Sequence, residues 1–299
     1  MNADAQAVWQ SWSAPLVVDL LLSLTALVYA LGWFRLRSAF PGLISSRRLA
    51  AFFSGILFVW VAIGSPLNAF DDLSLTVHMV QHLLLMAVAP PLILLGAPAL
   101  PLLHGLPGWM ARGAVAPLLR WGPVKWLGHF VTRLAIAWLV AALALIVWHI
   151  PAVFELALHL QLVHELEHAC FFGAGLVFWW PVVQPWPSVA TAPRWIIPLY
   201  LFCATLPCDA LSGFLVFCDR VVYSTYLTAP RVLGISPLQD QVCAAALMWV
   251  CTTIIFLVPA VVVTVQFLAP QGAPLPGATL AGTGGMAGKA LDAAKWKVV

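Results

Sequence analysis

Two pairs of histidines in this sequence have the spacing of residues that share one face of an α-helix. His78 and His82 are four residues apart, and so are His164 and His168. Residues four apart lie one turn above each other on a helix, so each pair presents two imidazoles in one direction. Imidazole is the side chain that most often binds metals in proteins. The two pairs therefore predict a metal site built from two helices.

The segments around both pairs are strongly apolar. Hydrophobic residues make up 63% of the 299 residues and charged residues only 8%, with a formal net charge of +3. This composition excludes a soluble globular protein and is typical of an integral membrane protein. The sequence shows no basic face of the kind that binds nucleic acid, so it gives no indication of a nucleic-acid partner. An unpartnered polar group in hydrocarbon is strongly unfavourable, so histidines within a span must face other helices rather than lipid.

Seven apolar segments are long enough to cross a membrane, which takes about 20 helical residues. We expect an all-α polytopic protein with spans at residues 15–34, 49–69, 74–100, 131–150, 160–183, 195–217 and 241–267. The third span holds Pro90 and Pro91 and is expected to tilt, kink or end early. The predicted organisation is an extracytoplasmic segment, 1–14, a seven-helix transmembrane domain, 15–268, and a disordered cytoplasmic tail, 269–299.

The basic residues predict the orientation of the chain. Of the 14 Lys and Arg residues, only Arg220 and Arg231 fall on the side that the N-terminus occupies. By the positive-inside rule, the N-terminus is outside and the C-terminus is cytoplasmic. The two histidine pairs and His149, at the end of the fourth span, then lie near the outer face, within roughly 12 Å of one another in depth. The predicted site is therefore near that face.

The types of ligand available indicate which metal this site would take. Imidazole together with the thioether of Met79 or Met86 suits copper, especially Cu(I), better than magnesium or calcium. Cys218 and Cys243 could be ligands, a disulfide or unrelated core residues, and their spacing does not decide. The candidate metal ligands are His78, His82, Met86, His149, His164 and His168. Glu167, Asp240 and Gln241 are candidates for orienting the imidazoles or attracting the cation.

Several motifs in order along the chain resemble the CtaG-type cytochrome c oxidase assembly factors. They are HMVQHLLLMAVAPPLILLGAP from His78, WHIPAVFELAL from Trp148, HELEHACFFGAGLVFWWPVV from His164, and SPLQDQ from Ser236 with the later Met248–Trp249 pair. The resemblance implies a seven-span membrane protein, needed for maturation of a haem-copper oxidase, that supplies or inserts copper. The matching polar residues are His78, His82, His149, His164, Glu167, His168, Asp240 and Gln241.

On this basis we expect a metallochaperone of the bacterial inner membrane rather than an enzyme. It would hold copper near the outer face and deliver it to a cytochrome c oxidase subunit, and a periplasmic copper chaperone is a candidate donor. The expected mechanism is exchange of ligands around the ion, with no bond-making catalysis. A transfer site should keep one coordination position open for the acceptor.

Three alternatives remain open at this stage. His164, Glu165 and His168 match H-E-x-x-H, the zinc motif of metalloproteases, with Asp209 or Asp240 as a third ligand. A b-type cytochrome could ligate haem between facing histidines. A seven-helix receptor is the third alternative, but no feature of the sequence specifically supports it. Bound retinal is excluded, because no lysine that could attach it lies in a predicted span.

Overall fold

The computed structural model describes residues 16–40, 44–65, 67–185, 193–231 and 234–268. The predicted N-terminal segment, 1–14, and the predicted tail, 269–299, lie outside the described residues. Within the described ranges every regular element is helical and no strand occurs. The predicted all-α fold class is therefore confirmed.

The α-helices range from single turns to a span of 32 residues. In chain order they are α1 (Leu16–Ala39), α2 (Ser46–Gly64), α3 (Leu67–Phe70), α4 (Leu75–Leu83), α5 (Ala89–Leu95), α6 (Ala99–Gly105), α7 (Gly108–Met110), α8 (Ala116–Arg120), α9 (Gly122–Val131), α10 (Leu134–Trp148), α11 (Pro151–His159), α12 (Gln161–Val183), α13 (Ile197–Phe217), α14 (Thr225–Thr228) and α15 (Pro237–Leu268). The other described helical turns are π-helical, at Leu84–Val88 and Ala111–Val115, or 3₁₀, at Arg194–Ile196.

Six helical stretches in the described part of the chain are long and apolar enough to cross a membrane. They are Leu16–Ala39, Ser46–Phe70, Leu75–Leu95, Gln161–Val183, Arg194–Phe217 and Pro237–Leu268. A seventh crossing is present if α9 and α10, which meet at an angle of 76°, form one broken span. The protein is therefore a multi-pass membrane protein, and the direction of its termini stays a prediction.

The fourth span begins later than its hydropathy predicts. The backbone at Arg133 is extended, with φ −66° and ψ 134°, so α10 starts at Leu134 rather than at residue 131. At 15 residues, α10 is short for a membrane crossing, which takes about 20. It still ends at Trp148 and leaves His149 in the turn that follows.

The third span widens before its two prolines and ends earlier than the sequence predicts. Pro90 and Pro91 have no backbone N–H, so they cannot donate to the carbonyls one turn earlier. The preceding turn, Leu84–Val88, widens into a π-helix, and the Ala89 amide donates to the Leu84 carbonyl. The span ends at Leu95, before the predicted residue 100, because Gly96 closes the helix and Ala97 takes a φ of 47°.

A glycine sets the distance between the third span and α12. A Cβ atom added to Gly175 would lie 2.5 Å from the Met86 carbonyl oxygen and 2.7 Å from Pro90 Cγ. The Met86 carbonyl is also the one that Pro90 leaves without a helical donor. Close backbone approach through a small residue is a common way for membrane helices to pack. This contact brings the helix of His78 and His82 against the helix of His164 and His168.

The outward faces of the long helices are apolar. In α1, Leu16, Val17 and Leu20 each expose more than half of their surface, and Leu268 of α15 does the same. Such a surface is unfavourable in water but matches a hydrocarbon surrounding. The five histidines of the predicted site and the side chains of Glu167, Asp240 and Gln241 are instead buried or half-buried between the helices.

Candidate metal centre

Five histidines from three parts of the fold meet at one end of the helix bundle. His78 and His82 come from α4, His164 and His168 from α12, and His149 from the turn after α10. The ring centroids are 4.3 Å apart for His78 and His82, 5.6 Å for His78 and His164, 4.3 Å for His164 and His168, 6.0 Å for His82 and His168, and 6.1 Å for His82 and His149. The structure thus brings together all five histidines that the sequence singled out.

The Glu167 carboxylate lies between the two histidines of α4. Its Oε1 atom is 3.5 Å from His82 Nε2 and 3.9 Å from His78 Nε2, and the Glu167 side chain is fully buried. In the described structure, both carboxylate oxygens and all four imidazole nitrogens of these two histidines lack a hydrogen-bond partner. A buried, charged carboxylate without a partner is strongly unfavourable. A bound proton or a cation at this position would neutralise the Glu167 charge.

The spacing of these three groups fits a metal ion. One ligand atom from each of His78, His82 and Glu167 lies within 4.8 Å of the other two. Bonds of about 2.0–2.2 Å place tetrahedral ligands about 3.3–3.6 Å apart, so small side-chain rotations would close the group around an ion. Two histidines and one carboxylate are a ligand set that divalent transition metals use.

A second group of the same kind contains an aspartate that sequence reasoning missed as a site residue. Asp71, His78 and His164 also offer ligand atoms within 4.8 Å of one another, and Asp71 Oδ2 is 3.4 Å from His164 Nε2. The other oxygen of Asp71 accepts the Asp72 amide at 2.7 Å. Burial, reinforced by the nearby Asp72 charge, raises the pKa of Asp71 to about 8. Its sequence signals are its position seven residues before His78 and its place among the acidic residues predicted near the outer face, but hydropathy does not predict the direction in which a turn points its side chains.

His149 presents one free nitrogen to a methionine sulfur. Its Nδ1 lies 2.7 Å from the Leu145 carbonyl oxygen, which can only accept, so Nδ1 carries the hydrogen. In the neutral ring the lone pair is then on Nε2, which is 3.4 Å from Met79 Sδ. Two lone pairs that face each other with no hydrogen between them are a pair that a soft cation would bridge.

Met86 lies one turn below His82 and contributes to neither three-residue group. It lines an apolar cavity next to the histidines, together with His82, His149 and Met79. The cavity is also lined by Cys208, Met248 and Phe256. Met86 therefore lies beside the histidines, and its role as a ligand stays a prediction.

Asp240 and Gln241 lie at the same end of the bundle but bond to backbone and hydroxyl groups. The Asp240 carboxylate accepts from the Leu75 amide at 2.7 Å, from Thr76 Oγ1 at 2.6 Å and from Ser74 Oγ at 3.0 Å. It therefore caps the first turn of α4 from another helix. Gln241 donates to the Leu215 and Arg220 carbonyls and accepts from the Val222 amide. These bonds fix the frame around the histidines, and none of them reaches an imidazole.

The cysteines do not join the described groups. All six cysteines are free, with Cys218 half-buried and Cys243 exposed. A disulfide between these two is therefore not formed, and neither residue belongs to the metal-spaced groups found in the described part of the chain.

The zinc-protease motif is not assembled as that chemistry needs. Glu165, which would be the general base, is exposed and accepts a hydrogen bond from Gln161 at 3.1 Å. Neither Asp209 nor Asp240 lies with His164 and His168 in the groups found among the described residues. On this helix the carboxylate that faces the imidazoles is that of Glu167, two residues further along.

Fold and site together define a multi-pass membrane protein whose helices enclose a buried group of imidazoles and carboxylates. The chain matches the family described as cytochrome c oxidase caa3 assembly factor (Caa3_CtaG) over residues 27–269, and it belongs to that family. This confirms the resemblance seen in the motifs. Neither the comparison with curated proteins nor the comparison with solved structures found a match.

Proposed function

We propose that this assembly factor holds a copper ion at His78, His82 and Glu167 and passes it to a subunit of a cytochrome c oxidase. The observation that carries the proposal is the buried carboxylate of Glu167, which lies within 4 Å of two imidazole nitrogens and has no other partner in the described structure. A cation at this position would satisfy all three groups at once.

The soft donor beside the group is the reason for proposing copper rather than another transition metal. Imidazole binds copper, zinc and iron, but the Met79 thioether facing His149 Nε2 favours a soft ion such as Cu(I). The family assembles an oxidase, and the oxidase that the motifs imply contains copper. The rings of His149 and His168 contact that of His82, and the ring of His164 contacts that of His78. These three histidines are proposed as further donors, with Met86 in the adjoining cavity.

Transfer would proceed by ligand exchange. When only His78, His82 and Glu167 bind the ion, one position of a tetrahedral ion is open, so an acceptor ligand can bind there before these residues dissociate. The further donors would then bind in place of one of the three rather than in addition to them. No bond of a substrate is made or broken, so we propose a carrier rather than an enzyme. With the predicted orientation, the site faces the outside of a bacterial inner membrane, where a periplasmic copper chaperone could load it.

The test measures the copper content of the purified protein and the maturation of the oxidase, in a variant of the proposed site and in a control variant. The purified wild-type chain, incubated with Cu(I) and desalted, should retain one copper ion per chain, and His78→Ala/His82→Ala should retain none. His104→Ala is the control, because the His104 imidazole is exposed and its Nδ1 bonds to the Leu100 carbonyl within its own helix, while the Arg35 contact is to the His104 backbone carbonyl and survives the substitution. A strain with the double variant should lose oxidase activity, while the His104→Ala strain should keep it.

Specific outcomes would overturn the proposal. Normal oxidase activity in the His78→Ala/His82→Ala strain would show that the site is not needed. Tighter retention of zinc or iron than of copper would change the metal, and a stoichiometric Soret band in the purified protein would make haem the bound group.

A further inference from the structure

His78 belongs to both of the three-residue groups described above. One group pairs it with His82 and Glu167, and the other pairs it with Asp71 and His164. A neutral imidazole has one free lone pair, so His78 can bind an ion in only one of the two groups at a time. Two ions cannot fill both positions, but one ion can move between them without leaving His78.

The two groups differ in how far they are from the surface. The shared His78 and Glu167 have fully buried side chains, and those of Asp71 and His82 are 2% and 6% exposed, whereas His164 is the most exposed at 15%. Asp71 lies in the turn between α3 and α4, outside the candidate spans. The Asp71 group is therefore the outer of the two, and the Glu167 group is enclosed behind it.

The outer group has unpartnered atoms of its own. Asp71 Oδ2 and His164 Nε2 are both buried without a hydrogen-bond partner in the described residues, and they lie 3.4 Å apart. The Tyr226 hydroxyl donates to the Asp71 backbone carbonyl at 2.9 Å, which holds this turn in place. The carboxylate thus points at the histidines because the backbone around it is fixed.

Building on the function proposed above, we propose that Asp71, His78 and His164 form a second copper position through which the ion enters and leaves. The ion stays bound to His78 while it exchanges Asp71 and His164 for His82 and Glu167, or the reverse. The oxidation state of copper does not change in this step. The enclosed position retains the ion, and the outer position sets how fast it exchanges.

The test separates rates from equilibrium affinity. Cu(I) loading and release to a Cu(I)-specific chelator are followed by stopped-flow absorbance in the purified full chain. Asp71→Asn and His164→Gln should slow both rates about tenfold or more while the dissociation constant stays close to that of the wild type. Glu167→Gln should instead lose retention. Circular dichroism checks that each variant keeps its helices.

Asp72→Asn is the matched control, because Asp72 is the exposed neighbour of Asp71 in the same turn. It removes a carboxylate from the same end of the bundle without removing an atom of the proposed outer group, so it should change the rates much less than Asp71→Asn does. If it slows loading as much as Asp71→Asn does, general attraction of cations explains the effect and the outer position is overturned.

Other results would also overturn it. Wild-type rates in both Asp71→Asn and His164→Gln would remove any role for the outer group. Loss of affinity in these variants as complete as in Glu167→Gln would mean one joint site, and two copper ions retained per wild-type chain would exclude a shared His78. If the wild-type chain retains no copper, both the proposed function and the outer position are wrong. In each of the other outcomes the wild-type chain still binds copper, so the two failures can be told apart.

Discussion

Glu167 Oε1 lies 3.5 Å from His82 Nε2, and neither atom has a hydrogen-bond partner in the described part of the chain. Because an amide oxygen lacks the negative charge that stabilises a bound cation, Glu167→Gln should weaken copper binding by about 100-fold or more. Isothermal titration or chelator competition on the purified protein measures this change.

Glu165→Gln provides the comparison for that experiment, since it makes the same chemical change two residues earlier on α12. Glu165 is exposed and accepts only from Gln161. We expect copper affinity equal to that of the wild type. An equal loss in both variants would point to a general effect of charge on this helix, and the specific role of Glu167 would be wrong.

Met79→Leu tests which oxidation state the site prefers. The substitution keeps the shape of the side chain but removes the sulfur that lies 3.4 Å from His149 Nε2. Because thioethers bind Cu(I) much better than Cu(II), we expect weaker Cu(I) binding and little change for Cu(II). Competition assays with a chelator for each ion measure the two affinities. An unchanged Cu(I) affinity would exclude Met79 as a ligand.

Asp240→Asn should destabilise the fold through the first turn of α4. Its carboxylate accepts from two backbone amides and two hydroxyls of residues 74–76, and it is 6% exposed. The substituted amide would turn an N–H₂ toward at least one of these donors. We expect a loss of about 1–2 kcal/mol in the free energy of unfolding, measured by denaturant titration in detergent micelles. Asp219→Asn, at an exposed position, should be neutral.

Gly175→Ala should separate the two histidine-bearing helices. The added methyl group would meet the Met86 carbonyl oxygen at 2.5 Å, and backbone cannot move aside as a side chain can. The overlap costs about 1–3 kcal/mol, which outweighs the gain in helix propensity of about 1 kcal/mol. We expect lower thermal stability and weaker copper retention together, both measured on the purified protein.

Gly173→Ala is the control on the same helix, because nothing lies within 4 Å of a Cβ added there. The added methyl group should leave copper retention intact and stabilise the helix slightly. If both alanine variants lose copper to the same extent, the close contact at Gly175 is not what positions the histidines.

Hydropathy and periodicity predicted most of the fold because lipid imposes long apolar helices on the sequence. The ends of the spans were less predictable. Leu134 replaces residue 131 as the start of α10, because the chain bends at Arg133, and Leu95 replaces residue 100 as the end of the third span. The end of a span depends on the backbone conformation of one or two residues. Hydropathy is averaged over many residues, so it does not locate these positions.

The candidate site was predictable where it rests on helical spacing. The i, i+4 pairs placed His78 with His82 and His164 with His168, and the common depth of the spans brought the pairs together. Asp71 was missed as a site residue, because its direction is set by a turn and by the Tyr226 hydroxyl from a distant segment. The cap that Asp240 makes on α4 is likewise a tertiary contact between residues far apart in sequence.

The lack of a side chain at Gly175 also limits the directions in which an ion can escape. With the Met86 carbonyl packed directly on α12, the two helices have no room to part sideways at that level without exposing backbone to lipid. These two helices therefore cannot open a lateral gate between them at that level. An ion at the proposed site would have to leave by another route, of which the end of the bundle beside the turn at residues 71–74 is the nearest to Asp71.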